Sequence, residues 1–285
     1  MSRLSIMDGM MRPLKVVDAH VHLFPERLFR AVRRALREAI GWEFEHGTDP
    51  RELWRFLSSN GVERFFLLNY AHKPDMSAEL NRWNHETALR LPAAIVFAAI
   101  HPLDRGLRDV AREALDDLGL AGFKLHLDVM GLAPDDPSLF PIYEFAEGRG
   151  KPMIVHAGTG GSIRMKGDTL NAARLRRVLK AFPGLRLSVP HLGAMDTASF
   201  FDLAEECPNL WFDTSAVLAP EGVCHTEVDK SRVVRLHRRI MFGSDFPNLG
   251  HSWEQEVQGV LDLGLDGAGL QRVFHDNALE FVGLL

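Results

Sequence analysis

The chain has 285 residues, 46% hydrophobic and 25% charged, a mix that excludes disordered, collagen-like and coiled-coil proteins. Its net charge of −5 excludes a nucleic-acid binder that relies on bulk positive charge. Two cysteines, Cys207 and Cys224, are too few for a disulfide framework and show no Cys-x-x-Cys spacing, so a reducing, cytoplasmic setting is expected.

At the N terminus, Met1–Pro13 lacks the apolar core of a signal peptide. Residues 1–13 read as an extension and 14–285 as a single domain. No run reaches the ~18 uncharged apolar residues of a membrane span, so no membrane partner is expected. The first strand is expected at Lys15–His20, followed by a helix at Arg27–Ile40 with Leu28, Val32, Ala35, Leu36 and Ala39 at helical spacing. A second helix, Pro50–Asn60, leads to a strand at Arg64–Tyr70. The alternation continues with Ala78–Arg90, strand Ala94–His101, Leu107–Leu118, strand Gly122–Leu127, Leu139–Gly148 and strand Pro152–Ala157. It closes with Thr169–Ala181, strand Arg186–His191, Thr197–Glu206, strand Leu210–Thr214, strand Ile240–Ser244 and Trp253–Leu263. Gly61, Gly119, Gly150 and Gly184 follow helical runs, where left-handed caps are expected.

The strands are apolar on both faces, as strands of a covered parallel sheet are. Eight strand–helix units predict an α/β fold of the (β/α)₈ TIM-barrel kind, with parallel strands and outer helices. An open doubly wound sheet is the rival, but the first strand leads into Asp-Ala-His-Val-His rather than a glycine-rich fingerprint. Gly41–Asp49, Gly158–Asp168 and Ala216–Lys230 are longer than connection requires and read as lid or substrate loops.

Metal-capable residues gather at the C-terminal ends of these strands. His20 and His22 are two apart on a strand, so both rings leave one face and can chelate one ion. His156 ends strand five, His191 strand six and Asp245 strand eight, and a barrel brings all of them to one rim. A third histidine and a carboxylate complete a Zn-type shell. Asp245 could instead be a helix cap. Lys124 and His126 share a face of strand four. Lys124 could bind a substrate carboxylate as a point charge, or pair with an acid such as Asp18. Arg164, in a glycine-containing loop after His156, could meet an anion, and His101, His72 and Trp42 lie near strand ends and could line the pocket. No Gly-x-Ser-x-Gly elbow is present, which disfavours a serine hydrolase.

Together, Asp-Ala-His20-Val-His22, Gly-Phe-Lys124-Leu-His126, Val-His156-Ala-Gly, Pro-His191-Leu-Gly, Phe-Gly-Ser-Asp245-Phe-Pro and the closing His-Asp-Asn277-Ala-Leu-Glu-Phe resemble the amidohydrolase superfamily. The resemblance is to the amidohydrolase-related branch that includes aminocarboxymuconate-semialdehyde decarboxylase, and it runs from about residue 15 to the C terminus. It implies a divalent metal at the barrel mouth, with His20, His22, His156 and Asp245 as ligands. It also implies that Asp245 accepts a proton, that His191 is either a second-metal ligand or an acid–base group, and that Lys124, as in two-metal members, could be carboxylated and bridge two ions. Zn²⁺ is the expected ion, with Mn²⁺, Fe²⁺ or Co²⁺ open and one ion or two unresolved. The expected activity is hydrolysis of an amide, lactone or ester; the alternative is non-oxidative decarboxylation of a small aromatic or unsaturated acid. A barrel that binds without turnover is the third reading. The expected partner is a small anionic substrate, and a homodimer is plausible by resemblance.

Overall fold

The runs that are apolar on both faces become strands covered on both sides. The computed structural model describes residues 15–158, 171–219 and 227–285. The extension 1–13, Arg164 with most of its loop, and Cys224 lie outside the described residues.

Eight strands form one parallel sheet in sequential order: β1 (Val16–Val21), β2 (Val62–Leu67), β3 (Ala94–Ala99), β4 (Gly122–His126), β5 (Met153–His156), β6 (Leu187–Val189), β7 (Leu210–Asp213) and β8 (Ile240–Met241). β8 is short, and the ring closes just beyond it, where Ala19 N donates to Phe242 O and His22 N to Phe246 O, both at 2.8 Å. The expected (β/α)₈ barrel is therefore the fold. The helices are α1 (Glu26–Ile40), α2 (Pro50–Ser59), α3 (Ser77–Arg90), α4 (Leu107–Arg112), α5 (Leu127–Met130), α6 (Phe140–Gly148), α7 (Asn171–Ala181), α8 (Thr197–Glu206), α9 (Lys230–Leu236), α10 (Trp253–Leu261), α11 (Gly267–Gln271) and α12 (Asn277–Phe281). None is long and apolar enough to cross a membrane.

Two local expectations need correction. The predicted helix Leu107–Leu118 is α4 followed by a wider π turn at Glu113–Asp117. Gly184 is not left-handed, unlike Gly61, Gly119 and Gly150; instead its N–H donates to the Glu147 carboxylate at 2.7 Å.

Apolar side chains fill two shells. The larger lies between sheet and helices and includes Val16, Val21, Phe65, Leu125, Val155 and Phe212. The smaller occupies the barrel interior, where Val17, Ala19, Phe66, Phe97, Ile154, Trp211 and Met241 meet Phe281 and Ala278 of α12. Phe281 plugs the floor, its ring 5.7 Å from Trp211 and 6.3 Å from Phe97.

The register of β1 decides what reaches the mouth. Asp18 pairs with Phe65 and Val21 with Leu67, so three steps along β1 match two along β2. This bulge reverses the alternation of side chains. Val17 and Ala19 face inward below it, His20 and His22 face inward above it, and Asp18 is turned out toward α10.

Candidate metal centre

β1 carries the centre of the site. His20 Nδ1 donates to Asp213 Oδ2 at 2.9 Å, which leaves Nε2 as the outward nitrogen. That Nε2 stands 3.5 Å from Asp245 Oδ1, and His22 Nε2 stands 3.0 Å from the same oxygen. One donor atom each from His20, His22 and Asp245 lie within 4.8 Å of one another, and so do those of His20, His191 and Asp213. Two imidazole nitrogens and a carboxylate oxygen fit a divalent cation of the Zn²⁺ or Mn²⁺ kind. A carboxylate behind the first histidine fits as well, because it fixes the tautomer a metal ligand needs.

The other sequence-predicted residues fall into three places. His156 pairs with His126 across β4 and β5, and their rings stack at 4.0 Å. His191 stacks 5.0 Å from His20 and meets His156 at 4.9 Å. His156 thus stands in the same cluster of rings but in neither donor grouping. His126 also caps α5, its Nδ1 accepting from Val129 N at 3.4 Å. His101 stands apart, with Nδ1 accepting from Leu103 N at 3.2 Å and no ring contact to the cluster among the described residues. Trp42 packs beside Gly250 in the loop after β8, and the His72 N–H faces the Met76 sulfur.

Lys124 is fully buried. It is paired in register with the inward Ile154, so it lies in the barrel below His126. Its Nζ has no hydrogen-bond partner among the described residues. The proposed pairing with Asp18 does not form, because the β1 bulge turns Asp18 away. Asp18 instead accepts from Ser244 N and Oγ, His20 N and Trp253 Nε1.

The electrostatics suit ligands in their binding forms. Burial pulls His20 down to about 4, with Lys124 adding to it and Asp213 opposing it. Burial, then neighbouring charges, hold His126 and His156 well below the usual imidazole range. Burial pushes the carboxyls of Asp213 and Asp245 up, but the surrounding imidazoles, His20 foremost, more than offset it and both are held well below the carboxylate range. Neutral imidazole and ionised carboxylate are the forms that bind metal. Burial lowers Lys124 to about 8 against the attraction of Asp213 and Asp245.

The loops after β6, β7 and β8 are backbone-strained where they deliver these groups. His191, Ala216 and Asp245 have φ of 58°, 67° and 55°. L-residues rarely adopt this region, Asn, Asp and His less rarely than others, so Ala216 carries the most strain of the three, and such strain gathers at functional sites.

Three residues escaped the sequence reading. Asp213 holds His20 and also accepts from His191 N at 3.0 Å. Ser215 accepts from His191 Nδ1 through its carbonyl at 3.1 Å, and its hydroxyl meets Asp213. Tyr70 lays its ring 4.7 Å from His126 and 5.9 Å from His22. For Asp213 a signal was present: a carboxylate ending the apolar run Leu-Trp-Phe-Asp has the same form as the histidines ending the other strands.

A family model described as amidohydrolase matches residues 17–284. No curated protein matches the sequence. Among solved structures, an uncharacterised TIM-barrel protein of Bordetella bronchiseptica is similar at TM-score 0.74 and 20% identity, covering 95% of this chain and 99% of that one. A dihydroxybenzoic acid decarboxylase of a Polaromonas species, with bound manganese and an inhibitor, is similar at TM-score 0.67 and 15% identity, covering 95% and 97%. A probable 2-pyrone-4,6-dicarboxylic acid hydrolase of Acinetobacter baumannii is similar at TM-score 0.65 and 14% identity, covering 95% and 100%.

Proposed function

The chain belongs to the amidohydrolase family, and on that footing we propose that it is a metal-dependent hydrolase acting on the carbonyl of a small anionic amide, lactone or ester. The observation that carries this reading is the approach of His20, His22 and Asp245 donors within 4.8 Å at the barrel mouth, with His20 fixed from behind by Asp213. His156, one ring away, is proposed to complete the set. Zn²⁺ is the proposed ion, and Mn²⁺, Fe²⁺ and Co²⁺ suit the same donors. A cation held there would make a nearby water acidic at neutral pH and polarise a carbonyl oxygen.

The chain's own residues then divide the work. Asp245, held ionised, takes the proton released by the attacking water and passes it to the leaving group. His191 donates from Nδ1 to the Ser215 carbonyl, an acceptor only, so its Nε2 keeps the lone pair with which to hold a proton. Lys124 places below the rings an ammonium without a hydrogen-bond partner among the described residues, where it draws an anionic substrate inward.

That ammonium also favours a second reading, a non-oxidative decarboxylase. A cation at the base of the pocket could hold a substrate carboxylate, and solved neighbours include both decarboxylases and a hydrolase. Protein loaded with Zn²⁺ or Mn²⁺, assayed over lactones, esters and aromatic acids for acid release and for carbon dioxide, separates the two. Hydrolysis lost in Asp245→Asn supports the first reading. Carbon dioxide release that depends on Lys124 supports the second. Turnover unaffected by Asp245→Asn overturns both.

A further inference from the structure

α10 reaches the site from outside the barrel. Glu256 lies on it, fully buried, and uses one carboxylate oxygen twice. Oε1 accepts from Ala216 N at 3.0 Å and from His251 Nε2. Ala216 is one of the strained residues, with φ of 67°, so its backbone needs an external partner to stay in that conformation. The preceding residue, Ser215, touches both His191 and Asp213. Its carbonyl accepts from His191 Nδ1, its hydroxyl stands 2.9 Å from the same nitrogen, and its N–H donates to Asp213 Oδ1 at 3.2 Å. Asp213 in turn holds His20.

A second feature of α10 presses on the same loop. A Cβ on Gly259 would collide with the Leu218 carbonyl oxygen and the Ala219 nitrogen. Glycine there lets the helix approach the 216–219 backbone to contact. The helix therefore grips this loop at two points, by an accepted hydrogen bond and by close packing.

We propose that Glu256 is a positioning residue: by holding Ala216 N–H it fixes the backbone at 215–219 after β7, and through Ser215 it sets the tautomer of His191 and the Asp213–His20 hydrogen bond. The inference rests on the metal-centre reading for its consequence, but the latch itself is independent of the metal. Glutamine in place of Glu256 keeps an accepting oxygen for both donors; leucine removes it; aspartate draws it back by one methylene.

The test uses the full chain with ¹⁵N-labelled histidine. In metal-free protein, the ring nitrogens of His191 report its tautomer. In a chelator competition, Zn²⁺ reports the His20 and Asp213 arrangement. Glu256→Gln is expected to match the parent in both. Glu256→Leu is expected to shift or broaden the His191 Nδ1 signal and to weaken Zn²⁺ by about tenfold or more, the usual cost of losing a group that orients a ligand. Glu256→Asp, which keeps a buried carboxylate, is expected to move the same way should the leucine variant not fold. Parent-like His191 signals in folded Glu256→Asp or Glu256→Leu would overturn the proposal, and so would a Gln variant as impaired as Leu. A parent chain that fails to bind Zn²⁺ would sink the metal centre instead, with the histidine spectra still reading the latch.

Discussion

Asp213 gathers four donors: His20 Nδ1, His191 N, Ser215 N and Ser215 Oγ. An asparagine there would present an N–H₂ to one of them and free the His20 ring to turn. Asp213→Asn is predicted to weaken Zn²⁺ by about 10–100-fold while leaving the fold intact, read by chelator competition and circular dichroism. Glu256 carries a prediction of a different kind. Burial, reinforced by Asp245, raises its carboxyl from 4.5 to about 7 against the pull of His251 and Ala216. Between those values the folded chain keeps a proton that the unfolded chain has released, so stability falls as pH rises from about 4.5 to 7 and levels off above. The loss is on the order of 3 kcal/mol for this group. Urea unfolding at pH 5 and pH 8 should show a smaller drop in Glu256→Gln than in the parent, and equal drops would refute the assignment. His20, His22, His191 and Asp245 were legible as strand-end residues because each interrupts an apolar run. Glu256 was not, because on a helix its period matches any other polar position.

The β1 bulge shows where reading by periodicity stops. Alternation places His20 and His22 on one face, and the structure agrees, but it also places Asp18 there. One extra residue against β2 sends Asp18 outward to Ser244 and Trp253, and nothing in Val-Val-Asp-Ala-His announces it. The sequence predicts β8 over Ile240–Ser244, but it ends at Met241, and beyond it Gly243 passes close behind His20. A Cβ on Gly243 would stand 2.9 Å from His20 Cβ and 3.1 Å from Asp213 Cβ. Gly243→Ala is therefore predicted to displace both, costing about 1–3 kcal/mol in urea unfolding and weakening Zn²⁺ in the chelator competition. An alanine variant with parent affinity would show that the two strands are free to part.

The eightfold rhythm of strand and helix made the barrel readable, because a sheet covered on both faces leaves long apolar runs with polar residues only at its rim. The closing His-Asp-Asn277 motif was visible too, but not its task. Asn277 Nδ2 donates to the His237 and Ile240 carbonyls, tying α12 under the barrel so that Phe281 fills the floor. Such a plug depends on contacts between distant segments, which no local pattern encodes. Phe281→Ala is predicted to lower stability by about 3–5 kcal/mol in urea unfolding, with the metal donors at the opposite end unaffected.

A crystal of the full chain grown with Mn²⁺, with anomalous differences recorded at the manganese edge, addresses the barrel mouth directly. The expected result is a peak within direct bonding distance of His20 Nε2, His22 Nε2 and the Asp245 carboxylate. A manganese peak at some other place, or none in a crystal whose rings keep this arrangement, would contradict a metal centre built from these residues.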